Sequence, residues 1–236
     1  MTPSAIDQLP WPEIRRRLDA DPRLILPVGA LEQHGPHLPV GSNIVIARHV
    51  ARAVAATTGI LRAPTLSYGV TVGGGPYAGR AGLRRKTLHR VVNELVHMWE
   101  DDGIESVAII TAHRFEPHLE ALLMTATGPS SRSVYDLYQI DVSDILESDP
   151  ELEHAGELET SLMLHLEPGL VRMDLARDFL PEGRAPRTHT RRGVPKPPAE
   201  STGVIGSPSL GSAEKGRAVF DRYVERISEA LARETP

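Results

Sequence analysis

The sequence has no cysteine, so disulfides and thiolate metal sites are excluded, and any metal must be held by His, Asp or Glu. No apolar run approaches the roughly 20 residues of a membrane span. The opening "MTPSAIDQLPWPEIRRRLDADPR" lacks the apolar centre of a signal peptide. Nor is there an excess of positive charge: the formal net charge is −5, which gives no general reason to expect nucleic acid as a partner. The expectation is a soluble cytoplasmic protein without membrane or nucleic-acid partners. What is there fits that class. With 236 residues, 40% hydrophobic and 24% charged, the chain is long enough to bury a substantial core.

Strand-like and helix-like patterns alternate along the chain. An amphipathic helix over about Trp11–Asp19 leads into the apolar run "LILPVGAL", a buried strand with "EQHGPH" as the loop at its end. "GSN" supplies a helix N-cap for "IVIARHVARAVAAT". "LRAPTLSYGV" reads as a second strand, followed by the glycine loop "TVGGGPYAG". "KTLHRVVNELVHMWEDDG" is a helix with a Gly stop, "SVAIITAH" a buried strand, "HLEALLMTATG" a helix and "SVYDLYQIDV" a strand. "ELEHAGELETSLMLHLEPG" is a loop feeding a helix, and a last helix covers about Ser212–Arg233. The alternation predicts one α/β domain over residues 1–236 with a mostly parallel sheet, interrupted only by a long Pro/Arg-rich loop at 184–201. In such sheets the working site lies at the C-terminal ends of the strands. The polar motifs after "LILPVGAL" and "SVAIITAH" both fall there.

Glu32 and His34 are two apart where a strand ends, so in extended geometry they point to one side. His113 ends another strand. In "HAGE", His154 and Glu157 are three apart at the start of a helix, predicting a shared face. Histidines and carboxylates arriving from separate strand ends suit a divalent transition metal such as Zn, Mn or Fe. Such a metal lowers the pKa of bound water and polarises a carbonyl, the equipment of amide hydrolysis. Each residue also has a structural reading: a strand-end His as a hydrogen-bonded core residue, Glu157 as a partner of the helix dipole. "EQHGPH" is the more specific signal, because burying a Glu and two His is expensive without a function.

The stretches "LPVGALEQHGPHLPVGSN", "HAGELETSLMLHLEPGLV.MD" and "STGVIGSPSLGSAEKGR" fall in order within positions 24–217, and together they resemble the creatininase (creatinine amidohydrolase) family. The resemblance implies a three-layer α/β/α sandwich, a homo-oligomer (hexamers are known) and a two-metal centre that opens cyclic or linear amides. By position it implies Glu32 as a ligand of one metal, His34 as a ligand of the other, and His113 as a further ligand of the first. It makes Glu157 the second-metal carboxylate, with Glu116, three beyond His113, the weaker candidate. His154 matches the His that handles protons at the leaving group, with Glu153 and Glu159 as supporting partners.

The departures from the family pattern carry information too. Asn43 stands where the family has an Asp bridging both metals; an Asn offers one neutral oxygen and an NH₂ that repels a cation. "TAHRFEPH" replaces a glycine-rich segment, and "YAGR" puts Arg80 at the expected mouth. Three arrangements are compatible: one metal held by His34 or Glu32 with His113 and Glu157; two metals with Asn43 tolerated; or a non-hydrolytic cyclase, lyase or ligand-binding protein on the same scaffold. Asn43 is also a good helix cap, but an Asp would cap equally well. Arg80, Arg114, Tyr77 and His37 are candidate contacts for a small, anionic substrate, and the Arg-rich loop 184–192 could assist them. The leading expectation is a metal-dependent amidohydrolase with one or two divalent metals per chain, acting on a small cyclic amide or related C–N bond in biosynthesis. In it a carboxylate, Glu157 or Glu116, accepts the water's proton and His154 protonates the departing nitrogen.

Overall fold

A computed structural model describes residues 4–71, 76–126, 130–149, 153–180 and 202–234. Four parallel strands form one sheet in the order β2-β1-β3-β4: β1 Arg23–Val28, β2 Leu61–Arg62, β3 Ser106–Thr111 and β4 Ser131–Asp136. Among the described residues six α-helices accompany them: α1 Trp11–Leu18, α2 Ser42–Thr58, α3 Arg85–Asp101, α4 Glu116–Leu123, α5 Glu157–Leu166 and α6 Ala213–Arg233.

Alternation along the strands builds two cores. On β1, Ile25 faces one way while Leu24, Leu26 and Val28 face the other; on β3, Ala108 and Ile110 oppose Val107 and Ile109. The first face is covered by α2, α5 and α6, the second by α1, α3 and α4. This is the expected three-layer α/β/α sandwich. On α6, Val219, Tyr223, Ile227 and Leu231 recur every four residues and give one buried stripe. The chain runs from β1 outward through α2 to β2, then returns past β1 through α3 to β3. The crevice beyond the C-terminal ends of β1 and β3 is therefore the switch point of the sheet, where ligands bind in such folds.

The structure shortens two expected strands. Of "LRAPTLSYGV" only Leu61–Arg62 pair along β1, because Pro64 has no N–H to offer; contact resumes with the isolated bridge from Val28 to Leu66. "SVYDLYQIDV" ends as a strand at Asp136 and turns into a 3₁₀ segment, Leu137–Gln139, whose cap is the Asp136 side chain accepting from Tyr138 N. The expected cap of α2 is also displaced. Its N-cap is Gly41, without a side-chain cap; Ser42 Oγ donates to Pro39 O, and Asn43 lies within the first helical turn. The loop at 184–201 lies outside the described residues.

Helices α5 and α6 touch backbone to backbone at Gly216, where an added Cβ would stand 1.9 Å from Ser161 O and 2.4 Å from Ser161 C. Gly216→Ala would gain about 1 kcal/mol of helix propensity, yet the clash with a carbonyl group outweighs it. The expected outcome is a net loss of about 2 kcal/mol in urea unfolding, with exposed Ala218→Ser as a control that changes stability by less than about 0.5 kcal/mol.

Candidate metal centre

After β1 the chain can approach α2 closely only because residue 29 is glycine: a Cβ there would lie 2.7 Å from Ile44 Cα. The loop returns on itself through Glu32 N to Val40 O, 3.0 Å, and through Gly35 at φ +67°. This brings the first turn of α2 over the end of β1. Glu32, His34, Asn43 and His113 are all buried there. Asn43 lies at the middle: its Oδ1 is 3.1 Å from His34 Nε2, while its Nδ2 donates to Glu32 Oε1 at 3.0 Å and faces His113 Nδ1 at 3.1 Å. Glu32 Oε1 is 3.0 Å from His113 Nδ1 and 4.0 Å from His34 Nε2.

Two more side chains arrive from the segment before α5. His154 is held by a reciprocal backbone bridge to Ile205, and its ring lies 4.9 Å from that of His34. Its Nε2 is 2.9 Å from Gln33 O. Glu159, on α5, places Oε1 3.4 Å from His34 Nε2 and receives the Tyr138 hydroxyl on the same oxygen; its Oε2 accepts from Ala155 N at 2.6 Å. Ala155 takes φ +55°, unusual for a residue with a Cβ, and this kink separates the His154 bridge from the helix.

The segment 69–71 supports the opposite side. The Val70 peptide uses both of its groups: its N–H donates to His118 Nδ1 at 3.2 Å and its C=O accepts from His113 Nε2 at 2.8 Å. That places a proton on His113 Nε2 and turns Nδ1 inward, toward Glu32 and Asn43. Thr71 Oγ1 donates to Glu32 Oε2 at 2.9 Å. Burial alone would raise both inner carboxyls, but His113 and His34 overcome it: Glu32 is held far below the ordinary range and Glu159 is brought down to about 2. For His34, burial opposes the charged form, yet Glu159 and Glu32 push it up to about 9. Burial and the neighbouring His113 lower His118 to about 3, so it remains neutral.

The structure thus brings Glu32, His34, Asn43, His113 and His154 together and leaves other expected residues elsewhere. Glu157 does not reach the cluster. Its carboxylate is buried against Lys215 Nζ at 2.5 Å, Ser148 Oγ at 2.7 Å, and the N–H groups of Glu147 and Ser148. His154 and Glu157 share no face because His154 is still extended; the helix begins only at Glu157. Glu153 accepts from the N–H groups of Glu157 and Leu158 and so satisfies the first turn of α5. Glu116 opens α4 and is exposed. His37 turns away toward α5, with Nε2 2.9 Å from Thr160 Oγ1, and burial with nearby His34 lowers it to about 4. Arg114 lies with its guanidinium carbon 5.8 Å from the Tyr138 ring centre. Tyr77 and Arg80 are half-buried on the segment whose Ala81 pairs with Leu31. Sequence patterns gave no signal for Gln33, Thr71, Val70, His118 or Tyr138.

Glu32, His34 and His154 each offer one ligand atom, and all three lie within 4.8 Å of one another. This nitrogen and oxygen set, backed by a second carboxylate, fits a divalent transition metal. The family profile of creatininase, creatinine amidohydrolase, matches residues 7–231. The chain belongs to the creatininase family. Creatinine amidohydrolase of Pseudomonas putida is 29% identical over 98% of this chain and 97% of its own length. Mycofactocin precursor peptide peptidase of Mycobacterium tuberculosis strain H37Rv is 30% identical over 91% of this chain and 86% of its own. A solved manganese creatininase superposes with a TM-score of 0.86 at 26% identity, over 99% of both chains. A mutant creatininase of Zn-Zn type does so with the same score and identity over 100% of both. This chain is accordingly a creatininase-type hydrolase with a divalent-metal site.

The placement of Glu157 has a direct test. Lys215→Met leaves a buried carboxylate without its cation, which costs about 3 kcal/mol in chemical denaturation, the lower end of such losses because the Lys215 side chain is 20% exposed. Glu157→Gln, assayed by mass spectrometry, is expected to retain its bound metal; loss of the metal from a folded variant would make Glu157 a ligand after all.

Proposed function

We propose that this protein is a metal-dependent amidohydrolase that opens a small cyclic amide, or a related C–N bond, on an anionic substrate in a biosynthetic pathway. The observation that carries this reading is the convergence of Glu32, His34 and His154 at the switch point of the sheet in a chain of the creatininase family. A divalent cation held there supplies polarisation of the carbonyl and a more acidic water. The chain's own groups do the rest. Glu159, anchored by Tyr138 and Ala155 N, is the carboxylate that takes the proton from water, in place of Glu157 and Glu116. Glu159 then passes that proton to the departing nitrogen, while His154, steadied through Gln33, helps hold the cation. Arg114, lying against Tyr138, binds the anionic substituent.

Creatinine amidohydrolase and a peptide peptidase as relatives support C–N cleavage, and a homo-oligomer, a hexamer by resemblance to the family, completes the reading. A cytoplasmic location is in keeping with the absence, among the described residues, of a helix long and apolar enough to cross a membrane.

Protein loaded with Mn²⁺ or Zn²⁺ should hydrolyse at least one member of a panel of cyclic amides and short peptides. Chelation should abolish the activity and added metal restore it. His154→Ala should weaken metal binding by more than about tenfold and lower kcat with it, and Arg114→Ala should raise KM chiefly for anionic substrates. A metal-loaded protein inert toward the whole panel would overturn the amidohydrolase reading.

A further inference from the structure

A carboxamide is a lopsided bridge. One end is an oxygen that can accept or coordinate; the other is an NH₂ that can only donate. Asn43 turns the oxygen toward His34 and the NH₂ toward Glu32 and His113. On the second side, Asn43 Nδ2, Glu32 Oε1 and His113 Nδ1 form a near-equilateral triangle with edges of 3.0, 3.1 and 3.0 Å. In the neutral imidazole the Nδ1 lone pair faces the Asn43 NH₂, because Nε2–H is committed to Val70 O. Two acceptors only 3.0 Å apart need positive charge between or beside them, and the NH₂ hydrogens provide it.

The amide cannot simply turn over. With the ends exchanged, its oxygen would face the Glu32 carboxylate, and both donations would be lost. The charges agree with this orientation. Among the described residues the carboxylates in contact with Asn43 or His34 are Glu32 and Glu159, which together match one dication; a second would bring two more positive charges without an added anion. The scaffold itself can hold two, since a creatininase mutant of the same fold is of Zn-Zn type.

We propose that this chain holds a single divalent cation among Glu32, His34 and His154, with Glu32 shared between that cation and the Asn43 NH₂, and that the Asn43 NH₂ takes the place of a second cation beside His113. This rests on the metal-dependent reading above and specifies its centre. His113 then acts as an acceptor that orients Asn43, a positioning residue rather than a ligand.

The test is metal stoichiometry of the full-length protein, loaded with excess Mn²⁺ or Zn²⁺, desalted and analysed by mass spectrometry. About one cation per chain is expected for the wild type and about two for Asn43→Asp. Two in the wild type, or one still in Asn43→Asp, overturns the inference while leaving the hydrolase reading intact. A wild type that takes up no metal overturns both. Location is read separately by titration: His113→Ala should keep its cation within about threefold of wild-type affinity, whereas His34→Ala should lose more than about tenfold. If His34→Ala does not fold, His154→Ala is titrated instead, with a loss of affinity expected. A folded His113→Ala that no longer binds metal puts the cation on the other side and overturns the assignment.

Discussion

Six parallel pairs between β1 and β3, from Arg23 beside Ser106 to Val28 beside Thr111, decide where the polar chemistry of this protein can gather. The register ends both strands at the same level, so the loop carrying Glu32 and His34 and the residue His113 emerge into one crevice. Everything else adjusts to that crevice. Gly29 admits α2, the first turn of α2 delivers Asn43, and the Ala155 kink lets His154 approach before α5 starts. A shift of one residue in the pairing would turn the strands' alternate faces over and exchange the two cores.

Burying two carboxylates and several imidazoles is costly unless each finds a partner. The cluster meets the requirement by sharing: Glu32 divides its oxygens between Thr71 and the Asn43–His113 pair, and Glu159 divides its own between Tyr138 with His34 and Ala155 N. Glu157 and Lys215 form a separate arrangement on the far side of α5, joined to Ser148 and Glu147. The helix thus carries two anions with different tasks. One faces the centre and the other ties α5 to α6.

The layered fold was legible because apolar runs and helical stripes alternate cleanly, and "EQHGPH" was conspicuous because so much polarity follows so apolar a strand. The errors are local and have physical causes. Glu157 and Glu159 are two apart, which is about 200° around a helix, so choosing between them requires the helical phase, and the phase is set by a kink at Ala155 that "HAGE" does not announce. Asn43 was readable as a cap because Gly41, Ser42 and Asn43 are all residues that favour that position. Only the packing of α2 against the strand ends makes Gly41 the cap and frees the amide. Pro64 explains why the second strand is brief, although the apolar pattern continues past it.

The Val70 peptide has a consequence of another kind. It orients His113 with its carbonyl and His118 with its N–H, while its side chain is simply part of the hydrophobic core. The information at this position is therefore carried by the main chain, and a different aliphatic residue could stand there without altering either imidazole. Proline is the exception, since it would withdraw the N–H and leave His118 Nδ1 buried without its donor. Two sequences could thus differ at residue 70 and share the same centre, which makes this peptide a hidden fixed point under a changeable letter.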